Sequence, residues 1–416
     1  LTGQYPWRTG WVNHWDVPRW GVGYFDWEAY DSVARVLKKA GYATAIAGKW
    51  QINDFRLEPQ ALRKHGFDDW CVWTGYEGGN PPSAHRYWDP YINTPEGSRT
   101  YEGKFGPDLY SDFLCAFIRK HADEPMFLYY PMALTHGHLE PTPDEPDVTK
   151  GKELHAANVR YVDKLVGKLL AALEDAGVRD RTIVIFTCDN GTAGGALGTI
   201  GGHRPSGGKA SKYEGGVCMP FIVSCPGLVP EGVVTDALID FSDLLPTFAE
   251  LAGAPLPDAV LDGKSFAPLV LGKADDSPRD WILAMGHGGG TTDAEGVRGV
   301  HDFADRVLRD KRYKVWVNTE KQIDQFYDLK NDPWEEHNLL DAEGKLLPEA
   351  DTPEARAALA KFQQVVDAMP DRDARPQYRK RAPNPWDMPL GQYEKRAKES
   401  RQKASAGEAK RKKKAE

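Results

Sequence analysis

The feature that most constrains this chain is a short apolar run, Ile183-Val184-Ile185-Phe186, ending in Thr187-Cys188-Asp189-Asn190-Gly191. The run is rich in β-branched residues and follows a charged turn, Arg179-Asp180-Arg181. It predicts a buried strand of a parallel sheet. Polar groups at the C-terminal end of such a strand lie on the rim where open α/β sheets place their ligands. Asp189 and Asn190 are hard oxygen donors of the kind that Ca2+ or Mg2+ takes. Taken alone, Asp-Asn-Gly reads first as a plain strand-end turn, since all three residues favour turns. Asn190-Gly191-Thr192 also matches a glycosylation acceptor, a reading set aside because the position is expected deep in a site.

On both sides of this run the pattern alternates between strand and helix. A helical stripe opens at Asp26, with Val33, Val36 and Leu37 on one face and Gly41 as its stop. A strand over 44–47 ends in Gly48-Lys49-Trp50-Gln51. Residues 66–100, full of Gly, Pro and aromatics, read as a long substrate-facing loop. A helix over 107–120 leads to a strand over 126–134 that ends in Thr135-His136-Gly137-His138. Val159, Val162, Leu165, Val166, Leu169, Leu170 and Leu173 form a clear helical stripe, stopped at Gly177. After a Gly-rich loop over 191–216 come another buried strand, 221–224, and a helix, 241–251, capped by Asp240 or Ser242. Beyond Gly272 the runs 313–317 and 325–329 alternate like antiparallel strands with one solvated face, and a helix over 352–369 follows.

This order predicts an α/β fold: a central, mostly parallel sheet flanked by helices over 1–272. A smaller C-terminal α+β subdomain with an antiparallel sheet is expected over 273–370, and a basic, disordered tail over 371–416. A chain of 416 residues with 41% hydrophobic content can bury cores of that size. The net charge of -8 argues against a nucleic-acid partner. The five cysteines are scattered without a Cys-x-x-Cys pair, which indicates neither a zinc site nor a disulfide framework. No apolar run reaches the length of a membrane span. No signal peptide is visible, and because the chain opens at Leu1 rather than Met, the true N-terminus is expected to lie upstream.

Three predicted strand ends hold chemistry-bearing groups: Lys49, His136 with His138, and Asp189 with Asn190. The Gly-rich loop adds Lys209 and Lys212. Each alone reads as a surface cation or a structural histidine. Together they describe a cleft with a hard cation, two or three ammonium groups and an imidazole, suited to an oxyanion and to charge stabilisation with proton transfer. Gly207-Gly208-Lys209 is not a phosphate-binding P-loop, because Ala210 stands where Ser or Thr is needed.

The order of these segments resembles the sulfatase family of the alkaline phosphatase-like superfamily. Gly48-Lys49-Trp50 resembles its Gly-Lys-Trp-His segment, and Leu134-Thr135-His136 with Pro141-Thr142-Pro143 its His-bearing loop. Asp189-Asn190-Gly191 resembles its metal-binding turn. Gly208-Lys209-Ala210-Ser211-Lys212-Tyr213-Glu214-Gly215-Gly216 resembles its Gly-Lys-x-x-x-Tyr-Glu-Gly-Gly signature, the most specific of the four. Asp328-Leu329, Asp332-Pro333 and Asn338-Leu339 resemble the end of its C-terminal subdomain. The resemblance implies that Asp189 and Asn190 bind Ca2+, or Mg2+ in its place. It implies that Lys49 and Lys209 hold a sulfate, and that His136 assists the leaving oxygen together with Lys209.

Two departures stand out. Leu1-Thr2-Gly3 resembles the tail of the motif Cys/Ser-x-Pro-Ser-Arg-x-x-Leu-x-Thr-Gly, whose first residue becomes formylglycine. None of the five cysteines is followed by x-Pro-Ser-Arg, so the nucleophile is expected upstream of Leu1 and the 416-residue chain alone is expected to be inactive. Gln51 stands where the family has His; it can orient a substrate but cannot titrate. Cys218 and His138 replace a common Arg and Pro. The resemblance implies a sulfuric ester hydrolase, periplasmic or secreted, acting on a sulfated carbohydrate or aryl sulfate. The aromatic, Arg-bearing segments 7–27 and 76–91 favour the carbohydrate. A phosphodiesterase or phosphonate hydrolase of the same superfamily and a non-catalytic sulfated-glycan binder are the alternatives.

Overall fold

The computed structural model describes residues 1–14, 25–75, 77, 80–193, 198–289, 291–293, 296–298, 301–377, 382–385, 387 and 395. Helix α1 (Val33–Lys39) leads into strand β1 (Ala43–Lys49). Next come β2 (Asp69–Trp73), β3 (Tyr91–Thr94), β4 (Gly97–Thr100), α2 (Gly106–Lys120) and β5 (Met126–Tyr129). These five strands form one sheet in the order β4-β3-β2-β1-β5, with β1 parallel to both β2 and β5 and the β3–β4 hairpin antiparallel at one edge.

Strand β1 is buried on both sides, as a parallel strand covered by helices must be. Ala43, Ala45 and Ala47 face α2 and the long helix α3 (Gly151–Asp175), meeting Tyr110, Leu114, Tyr161 and Leu165. Their small side chains let the helices close onto the sheet. Ile46 faces the other way and packs with Trp70, Val72, Phe67 and Leu62. Beside that cluster α1 meets α4 (Leu244–Ala252) through Val33, Val36, Leu37, Leu245 and Ala249.

Several expectations need correction. Helix α1 starts at Val33, because the Ser32 hydroxyl accepts from the Arg35 amide at 3.2 Å. Asp26 instead holds a turn, accepting from the Glu28 amide at 2.9 Å. Residues 66–100 are not one loop: they hold β2, a 3-10 turn (Pro81–Ala84), β3 and β4. The indoles of Trp70 and Trp73, which read as loop composition, fill the core and bond Asn93 and Ser83 at 2.7 Å. The run 126–134 stops being strand at Tyr129.

The opening run also differs. Strand β6 (Val184–Thr187) is half-buried and pairs antiparallel with β7 (Phe221–Ser224) in a two-stranded sheet, not within the five-stranded parallel one. Strand β7 is half-buried too, with Ile222 exposed. Val184 still shares helical cover with Met126 and Leu128 of β5 through Cys115, Ile118, Ala172 and Leu173. A short apolar run announces a strand but not its partner.

The C-terminal sheet runs β11-β10-β9-β8, all antiparallel: β8 (Ile282–Met285), β9 (Arg306–Arg309), β10 (Tyr313–Val317) and β11 (Ile323–Asp328). Tyr313, Val315 and Val317 of β10 pack with Phe362 and Val366 of helix α5 (Pro353–Asp367), which Thr352 caps. The opposite face is not solvated as expected, since Lys314 on it is fully buried. Tyr5 and Trp7 join this core from the other end of the chain. Residues 371–377 are not tail: Asp373 pairs with buried Arg306 at 2.6 Å, and the Ala374 amide donates to the Trp7 carbonyl. Most of the expected basic tail, including 396–416, lies outside the described residues.

Candidate oxyanion and cation site

Strands β1 and β5 run parallel and end on one rim of their sheet, and the charge of Asp189, beyond β6, is felt at the end of β5. The Lys49 amide donates to the Pro131 carbonyl at 2.7 Å, tying the end of β1 to the segment after β5. This approach requires glycine at 48: its φ is +109°, and a Cβ there would lie 2.2 Å from the Pro131 oxygen. Gln51 packs against Gly75, where a Cβ would meet its amide nitrogen at 2.3 Å.

His136 sits in the turn beyond β5. Its carbonyl accepts from the Tyr87 hydroxyl at 2.7 Å, and its own amide donates to Ala133. Burial lowers its pKa below the ordinary histidine value. The Gly137 carbonyl opposes that shift, while the charges of Lys209, Lys49 and Arg86 reinforce it. The imidazole is therefore neutral near pH 7, chiefly because burial disfavours its charged form, and the charges of cations from three different segments add to that.

Arg86 was not singled out by the sequence. It lay in the segment 76–91 flagged for aromatics and an arginine, of which Tyr76, Gly78 and Gly79 lie outside the described residues. Its guanidinium packs over Trp73 and Tyr87, with Nη2 3.1 Å from His136 Nδ1 and also bonded to the Gly137 carbonyl. A guanidinium only donates, so its contact with Nδ1 requires that nitrogen to accept. Nδ1 also lies 2.6 Å from the Gly137 carbonyl, which asks for the opposite tautomer. Because Arg86 already supplies that carbonyl with a donor, the Nε2–H tautomer leaves neither Nδ1 nor the Gly137 carbonyl without a donor, and it is assigned on that ground.

On the other side of the rim, Asp189 is exposed and Asn190 half-buried. Burial first, then the charge of Asp189, raises the pKa of Tyr129 at the end of β5, so the Asp189 carboxylate lies near that strand end. The Gly191 amide donates to the Gly216 carbonyl at 3.0 Å, and a Cβ at 191 would lie 2.0 Å from the Gly215 oxygen. The Lys209 amide donates to Thr192 at 2.9 Å. The turn of Asp189 and the loop of Lys209 are thus stitched together by backbone. The Asp189 carboxylate and Asn190 amide fit a hard cation by donor chemistry. Thr187 Oγ1, two residues earlier, is a buried oxygen without a hydrogen-bond partner.

Lys49 and Lys209 thus lie near enough to His136 for their charges to act on it, Asp189 lies near Tyr129 at the end of β5, and Gln51 packs against Gly75. Lys212 is turned away: it pairs with Asp305 at 2.6 Å and lies over the Trp316 ring. Cys218 neighbours Glu214, whose charge, after burial, raises its thiol pKa.

A sulfatase family model matches residues 1–254, and a model of the N-sulphoglucosamine sulphohydrolase C-terminal region matches residues 208–347. N-acetylgalactosamine-6-sulfatase of Canis lupus familiaris is 34% identical over 254 residues, 57% of this chain and 48% of that protein. Arylsulfatase A of Bos taurus is 30% identical over 370 residues, 77% of this chain and 68% of that protein. The chain thus spans about half the length of the first relative. Among solved structures, Ps i-CgsB in complex with k-i-k-neocarrahexaose superposes with a TM-score of 0.70 at 22% identity, covering 91% of this chain and 82% of its own. The PsFucS1 sulfatase from Pseudoalteromonas sp. superposes at 0.66 and 21%, covering 89% and 80%.

Proposed function

This chain belongs to the sulfatase family, and on that footing we propose that it carries most of the sulfate-binding and leaving-group machinery of a sulfuric ester hydrolase. What supports this most directly is His136 with Arg86 Nη2 3.1 Å from its Nδ1, in a setting where the charges of Lys49 and Lys209 also bear on the imidazole. In this reading Lys49 and Lys209 pair with the non-bridging sulfate oxygens. His136 holds its Nε2–H at the bridging oxygen, where negative charge builds as the S–O bond breaks. Donors aimed at charge that develops only in the transition state lower the barrier rather than merely tightening binding. Asp189 and Asn190 would hold Ca2+, or Mg2+, whose charge offsets that of the sulfate. Gln51, packed on Gly75, orients without titrating.

Catalysis in this family relies on formylglycine, and no cysteine or serine of residues 1–416 stands in the Cys/Ser-x-Pro-Ser-Arg motif that yields it. The proposal therefore concerns the complete protein, placed outside the cytoplasm. Among the described residues no helix is long and apolar enough to cross a membrane. A sulfated carbohydrate is the favoured substrate: Arg86, partly exposed and held over the buried rings of Trp73 and Tyr87, sits beside His136, where its guanidinium can pair with a second anionic group.

A panel of sulfated sugars, aryl sulfates and phosphate esters, assayed with the complete protein, tests the reading. Sulfate esters should be turned over in preference to phosphate esters. Lys49→Ala, Lys209→Ala and His136→Ala should each lower kcat/KM about 10²–10⁴-fold. Preferential phosphate-ester turnover, or wild-type rates in these variants, would overturn it.

A further inference from the structure

Lys314 is a charged residue on a β-strand with no exposed surface. Its ammonium makes three bonds, the full complement for that group: to the Lys212 carbonyl at 2.7 Å, to Glu214 Oε1 at 3.0 Å and to Glu335 Oε1 at 2.9 Å. Glu335 Oε1 also accepts from the Glu214 amide at 2.6 Å, and Oε2 from the Trp316 indole at 3.1 Å. Glu214 Oε2 accepts from Arg309. Two buried charges, Lys314 of β10 and Glu335 of the turn beyond β11, thus grip the loop 212–214 by its carbonyl, its amide and its carboxylate.

The arrangement is not explained by the stability of the sheet itself. Arg309 and Lys314 are directly opposed across β9 and β10, and like charges facing each other weaken an antiparallel pair. What reconciles them is Glu214, which belongs to the loop. Glu335 has a φ of +57°, a backbone conformation costly for a non-glycine residue. The surroundings hold it there with its carboxylate under the loop. From Glu214 the connection continues: Tyr213 packs on Trp316 at 4.8 Å, Gly216 accepts from Gly191, and Lys209 is bonded to Thr192.

We propose that Lys314 and Glu335 are positioning residues, and that the C-terminal sheet sets the placement of Lys209 and of the Asp189-Asn190 turn through the clamped loop 208–216. The assignment of those groups to sulfate and cation rests on the reading above; the mechanical coupling does not. A match to one family model that begins at residue 208 and runs through the C-terminal sheet is consistent with loop and sheet forming one unit.

Residue-resolved hydrogen exchange on Lys314→Met and Glu335→Gln tests the coupling without turnover. Arg306→Met is the control, because it breaks an equally buried ion pair in the same subdomain, with Asp373, away from the loop. At conditions matched for global stability, both clamp variants should speed exchange of the Gly191, Lys209 and Glu214 amides about tenfold over the control. In the complete protein they should lower kcat about tenfold with a smaller change in KM, as expected when binding groups survive but lose alignment. The control should leave both unchanged. If Lys314→Met does not fold, Glu335→Gln, which keeps the shape and removes the charge, carries the test. Exchange at Gly191 and Lys209 no faster than in the control would overturn the proposal. Altered exchange in a protein that fails on sulfate esters would uphold the coupling and sink only the functional reading.

Discussion

The two walls of the rim are built by different physics. Lys49 ends strand β1 of the five-stranded sheet and His136 follows its edge strand β5; in β1, Ala45, Ile46 and Ala47 have no exposed surface and helices cover both faces. Asp189, Asn190 and Lys209 stand on a half-buried antiparallel pair and a glycine-rich loop, and what props that loop is a buried ionic clamp from the C-terminal sheet. The first wall is held by apolar area removed from water, which is non-directional and tolerant of small shifts. The second is held by hydrogen-bonded charges, which are demanding in geometry and costly when one partner is lost. A site that must fix cations against an anion gains placement from the second kind of support and foldability from the first.

The largest expected effect falls on the first wall. Trp70→Ala removes a fully buried indole that also donates to Asn93 at 2.7 Å. It should cost about 3–5 kcal/mol in urea unfolding. A loss below about 1 kcal/mol would mean that the hydrophobic core is not what carries Lys49 and His136.

An acid titration sharpens the contrast. His65 is buried behind the first wall, edge-on to Trp50 and with Nε2 3.2 Å from the Asn53 side-chain oxygen. Burial, and after it the charge of Arg35, lowers its pKa from 6.5 to about 4. The folded state thus binds the proton less readily than the unfolded chain. The resulting stability is fully present above pH 6.5 and is lost as the pH falls toward 4, by about 3 kcal/mol in total. Unfolding free energies at pH 7 and 4.5 should differ by most of that amount in the wild type and by distinctly less in His65→Phe. Equal slopes would remove His65 from the account.

The same contrast explains what could be read from the sequence. The helical stripe from Val159 to Leu173 and the alternation around Tyr313–Val317 are local patterns, and they correspond to α3 and β10. The strand ends carrying Lys49 and Asp189 are legible for the same reason, whereas β5 ends at Tyr129, well before His136. The partner of β6 was not, because pairing is decided by what lies alongside a strand rather than by its composition. Residues 66–100 were misread because tryptophans and glycines mark loops and tightly packed sheet edges alike. The clamp was invisible: a lysine in an alternating strand predicts a solvated face, and Lys314 is buried only because a loop about a hundred positions earlier covers it, at Lys212 and Glu214.

The smallest effect is the most discriminating, because it concerns a lysine that the sequence placed in the cleft. Lys212 is one turn of the loop from Lys209, and only the partners of its side chain distinguish a substrate ligand from a prop. Those partners are Asp305, at 2.6 Å, and the face of Trp316. Both belong to the C-terminal side of the molecule. The pair retains some exposure, with 16% of the lysine side chain and 30% of the aspartate open to solvent, so screening keeps its contribution to about 1 kcal/mol or less. Lys212→Met keeps the aliphatic stem on Trp316 and removes only the charge. It should lower stability by that small amount and leave KM for a sulfate ester, measured on the complete protein, within about twofold of wild type. Lys209→Ala, three residues away, should lower kcat/KM by orders of magnitude. If Lys212→Met instead raised KM as strongly as loss of Lys209, the ammonium would have to swing into the cleft when substrate binds, and the division between a wall that reacts and a sheet that props would no longer hold.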